Sequence, residues 1–254
     1  MTINIHPLQN IESANMKDLY AQVPFKKSIL ENLSFDYEKT GSVFDFAKGQ
    51  EIYYWRNMLV NRMNLLMRNY AYTMFYYNQN IPDEVWHKSP GSKGQSVELF
   101  PDFKDEDYTK YFNFNYFSEY FFLQGFSIFE LFGQLIVNLY DIKLNEDYIS
   151  FHKAVNKLKS KNKTKFYELD MVRKSNEFKM ASRHRNDITH NQHPQFISSG
   201  ITKDGSGMVA VGIGEYTPSI KVKEIMDGML ICLEKIIEIL NDKKINLKYN
   251  ALIK

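Results

Sequence analysis

Residues Asp107 to Tyr140 constrain this chain more than any other stretch. Apolar side chains cover nearly every face of a helix drawn through them. A helix that is apolar all round must be enclosed, which predicts a central helix with others packed about it. Its 120–140 part is long enough to cross a bilayer but carries Gln124, Ser127, Glu130, Gln134 and Asn138. A carboxylate at mid-span is costly in lipid, so we read a buried helix of a soluble protein, with no membrane partner. These polar residues recur three or four apart, in one stripe. Either the stripe meets solvent or polar neighbours, or Glu130 and Gln134 orient a catalytic Arg or His, because a buried carboxylate needs a partner. Gly125 and Gly133 leave room for a neighbouring helix to approach closely.

The remaining chain supplies that neighbourhood. Short helices are expected around Ile11–Tyr20 and Phe25–Leu33. After Gly41, Ser42 can cap a long helix, with Asp45 opposing the positive end of its dipole. Apolar residues then follow at helical spacing, including Ile52, Trp55, Leu59, Met63, Leu66, Tyr70 and Met74. Residues 78–105 read as a loop broken by prolines and glycines. A shorter helix, about Asp147–Ser160, leads into Lys157, Lys159, Lys161, Lys163 and Lys165. That run is either a solvated loop or a track for a phosphate backbone. A third long helix is expected from Tyr167 to Thr189 or His190, ended by Pro194. A β-hairpin at about 195–214 precedes a last helix from Thr217-Pro218-Ser219 to Leu240, with Ser219 as its cap. The expected fold is all-α: a bundle of long antiparallel helices with a small hairpin before the last helix. It forms one helical domain over 1–254, with an N-terminal layer (1–106) and a core (107–242).

A formal net charge of +2 is too small to identify a nucleic-acid partner, so any basic surface must be local. The single cysteine, Cys232, excludes an internal disulfide, and no Cys/His grouping resembles a zinc site. The N-terminus has neither the basic nor the apolar region of a signal peptide, and a cytoplasmic location is expected.

The densest chemistry lies in Arg183-His184-Arg185-Asn186-Asp187-Ile188-Thr189-His190. Guanidinium holds phosphate bidentately, and imidazole moves protons near neutral pH. Together they suit phosphoryl transfer without a metal or other cofactor. On RNA, the 2′-hydroxyl attacks the neighbouring phosphate and leaves a 2′,3′-cyclic phosphate. Helix positions five apart point about 140° away from each other, so Arg185 and His190 converge only if the last turn changes or if they line different walls of a cleft.

Arg185-Asn186-Asp187-Ile188-Thr189-His190 resembles the Arg-(polar)-x3-His signature of the HEPN family, the higher eukaryotes and prokaryotes nucleotide-binding domains. The resemblance covers roughly Asp107–Leu240. It implies a helical bundle and, for many members, a metal-independent endoribonuclease in toxin–antitoxin or phage defence. It makes Arg185 and His190 the catalytic pair and Asn186 the polar helper. Arg183 with His184 also satisfies the longest spacing to His190. Glu130 is a supporting candidate, and Lys157, Lys159, Lys161 and Lys163 are candidate RNA contacts. The resemblance further implies RNA as partner, a homodimer with facing motifs, and an antitoxin or defence-system partner. Some similar domains bind RNA, nucleotides or proteins without cutting. Where certain HEPN toxins carry a modifiable tyrosine two residues after the histidine, this chain has Gln192.

Overall fold

The computed structural model describes residues 3–7, 15–37, 41, 44–143, 149–197, 199–203, 207, 209–213 and 215–241. In order these form α1 (Met16–Ala21), α2 (Ser28–Glu31), α3 (Phe44–Tyr77), β1 (His87–Lys88), β2 (Glu98–Leu99) and α4 (Asp105–Leu139). Then come α5 (Phe151–Leu158), α6 (Lys163–Lys174), α7 (Asn176–His190), β3 (Ser199–Lys203), β4 (Val209–Ile213) and α8 (Ser219–Leu240). The fold is all-α, with the β3–β4 hairpin placed before the last helix. That hairpin is antiparallel, Ser199 opposite Ile213 and Lys203 opposite Val209. Its expected turn at 204–206 and the expected Ser42 cap lie outside the described residues, as does the first part of the helix expected at Ile11.

Local chemistry explains most boundaries. Asp105, Glu106 and Asp107 occupy the first turn of α4, where the helix dipole favours carboxylates. Asp107 Oδ2 also accepts from Lys104 N at 3.0 Å. Ser150 and Asn162 cap α5 and α6 through their side chains. Three expectations need correction. The single helix expected from Tyr167 is two, because Ser175 adopts an extended backbone and its hydroxyl accepts from Phe178 N, starting α7 afresh. The connection between α3 and α4 is not all loop: β1 and β2 pair in it, His87 opposite Leu99. Ser219 opens α8 as a helical residue rather than its cap. Its N–H and hydroxyl both donate to Asp83, at 2.8 Å each.

The chain divides into two compact units. The first takes Met1–Val23, Met67–Leu123 and Met180–Asp227. Its core joins the later turns of α3 to the earlier turns of α4: Tyr70 meets Phe121, Tyr76 stacks on Phe117 and Tyr77 meets Phe114. One helix ascends in number as its partner descends, so the two run antiparallel. Asp83, 1% exposed, accepts from the Tyr216 hydroxyl at 2.6 Å as well as from Ser219. Phe100, held at φ 48°, sets its ring against Tyr111 and Tyr216.

The second unit takes Pro24–Leu66, Gln124–Lys179 and Gly228–Lys254. Phe129, Phe151 and Phe178 form its aromatic centre. Both glycines of α4 mark close approaches, as expected. A Cβ on Gly125 would lie 2.0 Å from Met229 Cε, and one on Gly133 would lie 3.0 Å from the Phe151 backbone nitrogen. Among the described residues α4 is the one helix long and apolar enough to cross a membrane, and 61% of its most apolar window is buried inside the protein.

Candidate active site at the end of the motif helix

Helix α7 carries the motif and stays helical through His190. Phe178, Ala181 and His184 recur at core spacing and are buried. This sets the orientation of everything else on the helix. Arg183, Asn186 and His190 fall on the opposite face, within about 60° of one another, and all three are exposed. Arg185 leaves the helix about 100° round from Asn186 and about 140° from His190, beside the buried series, and is half-buried. Its Nη1 donates to Asn186 Oδ1 at 3.0 Å, drawing the guanidinium toward the side that bears His190. Asn186 stands one helical turn before His190, the spacing at which side chains meet. Arg183 stands a further turn back and forms a loose ion pair with Asp187 at 3.9 Å. The last turn does not unwind, so one motif presents His190 with Asn186 and Arg183, while Arg185 reaches them through Asn186.

His184 belongs to the core rather than to this face. Its ring sits 4.5 Å from Phe122, and among the described residues its Nε2 has no hydrogen-bond partner. Burial, assisted by nearby His193, pushes its pKa down to about 4, against a weaker upward pull from Asp187. The helical series Phe178, Ala181, His184, Ile188 is the sequence signal that marks it as a core residue.

The turn after the motif is fastened to α4. The Tyr111 hydroxyl donates to the Gln195 carbonyl, and Gln195 Nε2 donates to Asn115 Oδ1 at 2.5 Å. His193 Nδ1 accepts from Gln195 N, and its Nε2 lies 3.5 Å from Glu119. Burial holds this imidazole below its ordinary range, although Glu119 pulls the other way. The long sequence separation between Glu119 and His193 kept this pair out of the sequence reading.

The other candidates lie in the second unit. Glu130 is half-buried, and its Oε2 has no hydrogen-bond partner among the described residues. Lys157, Lys159, Lys161 and Lys163 are all exposed. Lys165, next in the run, is instead 5% exposed and pairs with Glu168 at 3.2 Å. Among the described residues no group of three or more His, Cys, Asp or Glu side chains is placed to hold a metal ion.

A family model described as Cthe2314-like HEPN matches residues 55–241, well over half of the chain. The chain belongs to the HEPN family. The match contains the whole motif and begins within α3, so the HEPN region takes in most of that helix as well as α4 to α8. No curated protein and no solved structure matches the chain. Family membership supports a nucleotide- or RNA-related module.

Proposed function

We propose that this HEPN protein is a metal-independent endoribonuclease. The observation that carries the reading is the exposed face of α7, where Asn186 joins the Arg185 guanidinium to the side bearing His190. The C-terminal end of a helix repels anions, so holding phosphate there falls to the guanidinium groups. Arg185, with Arg183 behind it, neutralises the non-bridging oxygens. His190 takes the proton from the ribose 2′-hydroxyl, whose oxygen attacks phosphorus. The bond to the 5′-oxygen breaks, that oxygen gains a proton, and the products are a 2′,3′-cyclic phosphate and a 5′-hydroxyl.

One imidazole serves as base and a second is needed as acid. A twofold dimer with facing motifs supplies it as His190 of a second copy. The exposed lysines from Lys157 to Lys163 add phosphate contacts that weaken with salt. The biological setting we propose is cytoplasmic defence or a toxin–antitoxin pair, with the antitoxin as a further partner.

The test is cleavage of labelled structured and unstructured RNAs in EDTA by the wild type, His190→Ala and Arg185→Ala. Cyclic-phosphate products that vanish in both variants, with folding intact, are expected. Equal cleavage by all three proteins, or none by the wild type, would sink the assignment. Binding without products would instead leave an RNA-binding module.

A further inference from the structure

In the unit that holds the motif, α4 exposes a row of aromatic rings. Phe112 is 42% exposed, Tyr116 67% and Tyr120 46%. Placed four residues apart, they occupy one helical stripe about 80° wide and advance about 6 Å along the axis per ring. Single exposed rings need no explanation, but a contiguous apolar row marks a binding surface. The turn after the motif lies on the adjoining flank of the same helix, through Tyr111, Asn115 and Ser118. Glu119 stands at the boundary, facing His193 at 3.5 Å, and Phe196, 43% exposed, stacks on that imidazole. The row of rings therefore borders the segment that directly follows His190.

The chemistry of this strip favours one occupant. The one acidic residue between Phe112 and Tyr120, Glu119, is turned to His193. Arg183 and Arg185 stand on α7, and the turn that follows α7 is bonded to the flank of this strip, so the motif cations lead into the row of rings. That combination is how proteins hold single strands: bases on aromatic faces, backbone on cations. Rings whose attachment points advance about 6 Å along the axis are spaced too widely for bases stacked in a duplex, and suit bases splayed one to a ring.

We propose that Phe112, Tyr116 and Tyr120 form a base-stacking platform that lays a single RNA strand along α4 and brings its backbone to the motif at the end of α7. The inference rests on the RNA-cleaving reading above. Duplex RNA, whose bases are already stacked and paired, gains nothing from the rings.

The test uses the full chain carrying His190→Ala, so that probes stay intact. Binding of a labelled oligouridine and of a short blunt RNA duplex is compared with and without Tyr116→Ala and Tyr120→Ala. Each lost ring is expected to weaken oligouridine binding at least about fivefold, with duplex binding unchanged. The Tyr116→Phe/Tyr120→Phe pair is expected to bind like the parent. Unchanged oligouridine affinity in the Ala variants overturns the platform, as does an equal loss on duplex. A parent that sediments as a dimer and Ala variants that sediment as monomers also overturn it, because the rings then belong to an interface between copies. Wild-type cleavage of the same RNAs is scored separately. Cleavage with ring-independent binding removes only the platform, and ring-dependent binding without cleavage removes only the ribonuclease reading.

Discussion

Arg185 Nη1 donates to Oδ1 of its neighbour Asn186 at 3.0 Å, although the two side chains leave the helix about 100° apart. The bond turns a half-buried guanidinium onto the exposed face, one turn from His190. On the ribonuclease reading proposed above, Asn186 acts as a positioning residue for the arginine. Asn186→Ala is expected to lower kcat for RNA cleavage by about tenfold to a hundredfold, a smaller loss than removing His190. Because Asn186 is exposed, the melting temperature should hold. Single-turnover kinetics beside thermal melts make the check, and full activity in Asn186→Ala would remove the positioning role.

His184 makes stability depend on pH. In the unfolded chain its imidazole protonates near the ordinary value of 6.5, and in the folded protein only at about 4. Its contribution is complete above pH 6.5 and is lost as the pH falls toward 4, amounting to about 3 kcal/mol over that window. Urea midpoints for wild type and His184→Phe at pH 7 and pH 5 test this. The wild type should lose more stability between the two pH values than the variant, and parallel losses would contradict it.

Asp83 is a buried carboxylate with donors from Tyr216 and from two groups of Ser219. Asp83→Ala strands those donors and removes the cap of α8, at a cost of about 3–5 kcal/mol. Tyr216→Phe removes one donor and leaves the cap, so about 1–2 kcal/mol is expected. Chemical denaturation should rank them in that order. Equal effects would mean that the cap itself contributes little.

Gly125→Ala sets a methyl against Met229 Cε at 2.0 Å and Sδ at 2.9 Å. Overpacking of this kind costs about 1–3 kcal/mol. Shortening Met229 to Ala alone opens a cavity. The Gly125→Ala/Met229→Ala pair should be more stable than the sum of the single losses predicts. Strict additivity in a double-mutant cycle would show that the methionine end simply moves aside.

The long helices and the burial of α4 were legible because their apolar residues repeat at helical spacing over many turns. Gly125 and Gly133 were legible as close approaches for the same reason. The break at Ser175 was not, since neither proline nor glycine marks it and only the serine's backbone and hydroxyl reveal it. Asp83 as the cap of α8 joins residues 136 apart, which no local pattern encodes. Within the motif, residue types announced the chemistry but not the direction of the side chains. The buried series through His184 fixes that direction, and it moves His184 from the site into the core.

Asp83 fastened to the start of α8, and Phe100 packed on Tyr216, pin both ends of the connection between α3 and α4. Only its tip, around Ser89 to Ser96, is left to vary in length. Closing a longer loop adds little entropic cost. Chains built on this plan can therefore gain or shed residues at that tip, or carry an inserted peptide there, while the register of the motif helix stays the same.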